Sequence, residues 1–105
     1  MINLGLTEKE VGLICSVFSK NGKVQKAVVF GSRAKGTFKK YSDVDIAVFE
    51  GKGSINIGQI LVDLDELPLI YKFDVVVYDE LKNIELKEHI DRVGVLFYEN
   101  GGVAQ

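Results

Sequence analysis

Asp43 and Asp45 stand one residue apart in Ser42-Asp43-Val44-Asp45-Ile46-Ala47-Val48, a run that otherwise reads as a β-strand. Side chains alternate across a strand, so both carboxylates project to one face, with Cα atoms about 6.5–7 Å apart. Carboxylates this close repel, and each tends to keep a proton unless a cation lies between them. A divalent metal is the natural partner. The plain alternative is a solvated strand end, because Asp-x-Asp is a common surface pattern. Asp74, between Phe73 and Val75-Val76-Val77, is a third acid at the head of an apolar strand, where it carries a desolvation cost if that strand is central. If the two strands pair side by side, Asp74 joins Asp43 and Asp45. Three carboxylates in one place would hold two Mg²⁺ ions, which clamp the attacking and leaving oxygens of an in-line phosphoryl displacement.

A second group lies just upstream, in Gly31-Ser32-Arg33-Ala34-Lys35-Gly36. Glycine directly after a strand lets backbone approach a ligand, and amides at a helix start point their N–H groups at an anion, with the Ser32 hydroxyl as a further donor. A simple turn is the alternative. The segment fits neither the dinucleotide fingerprint nor the P-loop, since Gly-x-Gly-x-x-Gly and Gly-Lys-Ser/Thr are both absent. Between Lys20 and Lys40 there are seven basic residues and no acidic one, while residues 41–105 hold thirteen of the fifteen acids. A solvated basic face would explain such a run, but its position around a glycine turn also suits a phosphate.

Positioning these groups takes a particular set of elements. Thr7-Glu8-Lys9-Glu10 has the form of a capping box, and Val11, Ile14, Cys15 and Phe18 follow at helical spacing, which predicts a helix over about Thr7 to Ser19, stopped by Asn21-Gly22. Lys26 to Phe30 predicts a buried strand leading into Gly31. Val44 to Phe49 predicts a second, closed by Gly51-Lys52-Gly53. Ile57, Ile60, Leu61, Leu64 and Leu67 form the apolar stripe of a helix ending before Pro68. Phe73 to Tyr78 is a third strand, Leu81 to about Val93 a polar helix carrying Ile84, Leu86, His89, Ile90 and Val93, and Val95 to Tyr98 a fourth strand. This is α/β alternation around a small sheet.

The totals bound what such a chain can be. With 105 residues, 47% hydrophobic and 27% charged, residues 1–105 read as one globular domain with no room for a separate substrate domain. A net charge of −2 argues against bulk polyanion binding, so phosphate chemistry must be local. One cysteine and one histidine allow neither a disulfide nor a Cys/His zinc cluster. The start, Met1 to Leu6, lacks the basic and apolar regions of a secretory signal, and no apolar run approaches the ~20 residues of a membrane span, so a cytoplasmic protein is expected.

Gly31-Ser32-Arg33-Ala34-Lys35-Gly36, five residues, then Ser42-Asp43-Val44-Asp45-Ile46-Ala47-Val48, resembles the signature of the minimal nucleotidyltransferases, the smallest members of the DNA polymerase β-like superfamily. Phe73-Asp74-Val75-Val76-Val77 is similar to that family's third-carboxylate strand, and the order of elements agrees over nearly the whole chain. Lys35 stands where many members have Arg, which keeps the charge but loses the bidentate fork. The resemblance implies an α/β (α+β) fold with a small mixed sheet flanked by helices. It also implies transfer of a nucleoside monophosphate, AMP from ATP or the equivalent from another NTP, to an acceptor. Asp43, Asp45 and Asp74 would be catalytic and metal-binding, Asp74 also helping to activate the acceptor hydroxyl. Gly31, Ser32, Arg33, Lys35 and Ser42 would bind the nucleotide. Members of this size resemble antitoxins whose partner is a helical HEPN-domain toxin, either adenylylating a tyrosine of that partner or silencing it by binding alone. A small-molecule transferase of the aminoglycoside type fits less well, because a second domain to form the acceptor pocket is missing.

Other residues read as structural. His89 is expected at the surface or near a helix end, and Cys15 as a small buried hydrophobe. Of ten aromatics, Phe18, Phe30, Phe49, Phe73 and Phe97 lie in core-like segments, so a base-stacking platform for nucleic acid is not expected. Asp63, Asp65 and Glu66 read as the outer face of the third helix.

Overall fold

A computed structural model describes residues 4–100 apart from Lys52, which leaves Met1 to Asn3, the middle of the glycine stop after the second strand and residues 101–105 outside the described residues. The elements run α1 (Glu8–Lys20), β1 (Val24–Phe30), α2 (Gly31–Lys35), β2 (Val44–Glu50), α3 (Ile57–Asp65), β3 (Phe73–Val77), a 3-10 turn (Tyr78–Glu80), α4 (Ile84–Val93) and β4 (Val95–Glu99). The capping box at the start of α1 is formed in both directions. The Glu10 amide donates to Thr7 Oγ1 at 3.1 Å, and the Thr7 amide donates to Glu10 Oε1 at 2.9 Å.

One mixed sheet carries the fold, in the order β3-β2-β1-β4. β1 is antiparallel to both β2 and β4, and β2 is parallel to β3. The two inner strands are apolar on both faces, as strands covered from both sides must be. A parallel pair cannot be closed by a hairpin, and α3 supplies the crossover between β2 and β3. Alternation divides the strands between two cores. Ala27 and Val29, Val44, Ile46 and Val48, and Phe73, Val75 and Val77 pack on the side of Ile14, Phe18, Ile60 and Leu64 from α1 and α3. Val28, Phe30, Ala47 and Val76 face the other way, onto Leu86, Ile90 and Val93 of α4.

Four expectations shift. The glycine turn after β1 is a single turn of helix, ended by Gly36 in the left-handed conformation at φ 79°. Leu61 is exposed, because Ile60 and Leu64 are the α3 residues that reach the core and Leu61 lies about 100° round the helix from Ile60. Tyr78 leaves β3 for the 3-10 turn, where its ring stacks on Phe49 with centroids 4.3 Å apart. The last helix starts at Ile84, capped by the Asn83 side chain accepting from the Leu86 amide, which turns Ile84 itself out to solvent. Cys15 is buried as expected; burial pushes its thiol up to about 11, and its Sγ lies 3.5 Å from the carbonyl oxygen of Phe97.

Candidate active site

The parallel register sets Asp45 directly opposite Asp74, and the antiparallel register sets Phe30 opposite Asp45. Asp45 alternates with the buried Val44 and Ile46 and so shares the face of Ala47, while Asp74 shares that of Val76. Both carboxylates therefore lie on the α4 side of the sheet, beyond the point where the apolar core of that side ends. Asp43 is exposed just before β2, where the strand is entered by the Val44 amide donating to the carbonyl of Lys72 at 2.9 Å.

Crowding marks this row electrostatically. The Asp45 carboxyl is raised above the ordinary aspartate range, first by burial and then by Asp74 and Asp43, and among the charged groups acting on it His89 is the one that pulls it down. The donor set is all oxygen, and its mutual repulsion is what a hard divalent cation relieves. As the side chains stand, no three His, Cys, Asp or Glu among the described residues converge on one point. Asp43 and Asp74 are both exposed, so rotation about their own side-chain bonds can bring them toward Asp45. On donor chemistry and charge the residues fit such an ion.

Gly31 fixes the floor of the site. At φ +72° it takes a conformation that L side chains rarely adopt, and a Cβ there would run into Asp45 Oδ2 and approach Asp45 Cγ at 3.2 Å. The start of α2 thus lies against the carboxylate it faces. Gly31→Ala should combine a backbone cost of about 1–2 kcal/mol with displacement of Asp45. Gly36→Ala is the control: φ is +79° but a Cβ meets nothing within 4 Å, so only the backbone cost applies. Melting curves and a nucleotide-binding assay should show both variants destabilised but only Gly31→Ala impaired in binding. Equal binding by both would refute the contact.

Not every candidate joins the site. Ser32 is half-buried on α2 next to Gly31, and Lys35 is exposed in its last turn. Ser42 serves its loop: its hydroxyl oxygen accepts from the Lys39 amide at 2.8 Å, and its carbonyl oxygen accepts from Arg33. Arg33 departs furthest from expectation. It is 1% exposed, and its guanidinium donates to the carbonyls of Leu4 at 2.8 Å and Ser42 at 2.8 Å, between the rings of Phe38 and Tyr71. A residue two positions on in a helix points about 200° away, so Arg33 leaves the face that Gly31 presents to the carboxylates. In this structure its charge holds the loop and the approach to α1.

His89 was expected outside the site and is half-buried against it. Leu86, His89, Ile90 and Val93 fall on the inward stripe of α4, and the imidazole meets Phe30 edge-on, with centroids 6.1 Å apart and planes at 82°. That 3-1-3 spacing is present in the sequence and is the signal that marks it as inward-facing.

The mixed sheet, with a glycine-led helical turn set against paired strand-end carboxylates, is a nucleotidyltransferase arrangement, and residues 13–101 match the family described as polymerase beta, nucleotidyltransferase; the chain belongs to that family. Among solved structures, it is similar to a toxin–antitoxin crystallised with AMP-PNP, with a TM-score of 0.70, 24% identity, and coverage of 87% of this chain and 74% of that one. A toxin–antitoxin named MntA-HpeT, bearing two aspartate-to-glutamate changes, gives 0.67 at 20% identity, with the same coverage of both chains. A presumed nucleotidyltransferase from Sulfolobus solfataricus gives 0.53 at 22% identity, over 90% of this chain and 81% of its own. These likenesses show the fold. A search of curated proteins found no match. Among the described residues no helix is long and apolar enough to cross a membrane.

Proposed function

We propose that this chain is an antitoxin that transfers AMP from ATP to a hydroxyl of a protein partner, a tyrosine of a HEPN-domain toxin. The observation that carries the reading is the register Asp45 opposite Asp74, on the face where Gly31 closes against Asp45. The neighbours point the same way: one is a toxin–antitoxin holding an ATP analogue, and in the other the two altered aspartates are two positions apart, the spacing of Asp43 and Asp45.

In this reading Asp43, Asp45 and Asp74 hold two Mg²⁺ ions, which when bound neutralise charge on the phosphates. Gly31 and Ser32 cradle the triphosphate, and Lys35 supplies charge beside it. The partner's hydroxyl oxygen forms a bond to the α-phosphorus, the bond from that phosphorus to the bridging oxygen breaks, and pyrophosphate leaves with the electron pair. The hydroxyl proton passes to the Asp74 carboxylate.

Incubating the purified protein with the co-encoded partner, labelled ATP and Mg²⁺ should label the partner, and Asp43→Asn should abolish the label. Absence of label while nucleotide still binds would overturn the transfer step. Neutralisation of the toxin by the Asp43→Asn protein at equal dose would then identify masking by complex formation.

A further inference from the structure

Three residues in register cross the end of the sheet: Asp74 on β3, Asp45 on β2 and Phe30 on β1. α4 lies over this face, and its His89 rests on Phe30, at the β1 end of the row. In-line displacement places the attacking and leaving oxygens on opposite sides of the phosphorus. If Asp74 takes the proton of the attacking hydroxyl, pyrophosphate departs toward β1, the side of Gly31, Ser32 and His89. His89, far along the chain from the basic run, pulls the Asp45 carboxyl down against the burial and the two acids that raise it. The imidazole is only half-buried, so it can reach a ligand.

We propose that His89 is a nucleotide-binding residue whose imidazole N–H donates to the β- or γ-phosphate of the NTP and to the pyrophosphate as it leaves. The assignment rests on the transfer reading above. It requires no proton transfer from the ring. The hydrogen bond holds charge that builds on the leaving group while the new oxygen–phosphorus bond forms.

The test compares the Kd of ATP and of AMP, each with Mg²⁺, for the wild type, His89→Ala and His89→Gln. His89→Ala should weaken ATP about tenfold, the scale of one charge-assisted hydrogen bond, and leave AMP within about twofold. His89→Gln keeps an N–H donor and should recover most of the ATP affinity. It also guards against loss of folding in the alanine variant, since both are followed by thermal melts. Unchanged ATP affinity in His89→Ala, or equal weakening of ATP and AMP, would overturn the assignment. A wild type that binds neither nucleotide would overturn the transfer reading and the assignment with it, so the two failures are read on different proteins.

Discussion

Replacing Asp45 by Asn should abolish nucleotide transfer and at the same time make the metal-free protein slightly more stable at pH 7. Activity should fall by about 10³-fold or more, the scale expected for a group acting on the transition state. The stability gain follows from the crowding. Asp45 is raised from the ordinary aspartate value by burial, Asp74 and Asp43, so the fold favours its protonated form. Below the unfolded pKa, about 3.9, ionisation costs nothing. As pH rises from there through the raised folded value, the native state must charge a carboxyl among carboxylates, and stability is lost. Asn at the same volume removes that loss. Because Asp45 is partly solvated the gain is modest, about 1–3 °C in Tm. Melts from pH 3 to 8 without divalent ions should show the two proteins level at the acid end and the variant ahead near neutrality. Mg²⁺ should then raise the wild type and leave the variant where it was. A wild type more stable than Asp45→Asn at pH 7 without the ion would show that the carboxylate makes net favourable contacts.

Removing the Arg33 side chain should do the opposite, damaging the fold before the chemistry. Its guanidinium spans the Leu4 carbonyl, the Ser42 carbonyl through both Nη2 at 2.8 Å and Nε at 3.3 Å, and the faces of Phe38 and Tyr71 at 5.2 and 4.8 Å. Arg33→Ala leaves those carbonyls without their donor and opens a hole where the side chain was 1% exposed. Hydrogen bonds from a charged donor are worth about 1.5–3 kcal/mol each, so a total near 3–5 kcal/mol is expected. That is a large share of the ~5–15 kcal/mol that holds a domain together, and Tm should fall by about 15 °C or more. Arg33→Lys should recover little, because an ammonium cannot reach both carbonyls in one plane between two rings. If Arg33 bound phosphate instead, Arg33→Ala would lose ATP affinity and keep its Tm.

The contrast between these residues shows what the chain made legible. The shared face of Asp45 and Asp74 was legible because strand alternation is local: given a strand, the face follows, and only the pairing of β2 with β3 had to be supplied. Gly31 was legible because its position after an apolar run restricts what it can be for. The burial of Arg33 was not legible, because nearness to the glycine in sequence does not give a shared direction: a helical turn scatters its neighbours around an axis. For His89 the local spacing shows that it faces inward, but its contact with Phe30 bridges 59 positions (89 − 30), and no local pattern reports that partner. Leu61 was misplaced for a narrower reason. An apolar stripe read from spacing is wider than the core that one short helix can cover.

The register between β2 and β3 also bears on how such a chain can drift. Val44, Ile46 and Val48 lie opposite Phe73, Val75 and Val77, all in the core beneath α1 and α3, so the pairing that hides these side chains also aligns Asp45 with Asp74. A slip of one residue would drive Asp74 into that core and turn valines into the site. Insertions and deletions therefore separate by position. In the link from Glu66 to Lys72 they disturb Leu67, Leu69 and Tyr71, which pack against that core, but leave the strands free to keep their alignment. Within Phe73 to Val77 a single added or lost residue costs the fold and the chemistry together, so lineages of this chain should hold the length of the strand more strictly than that of the connection before it.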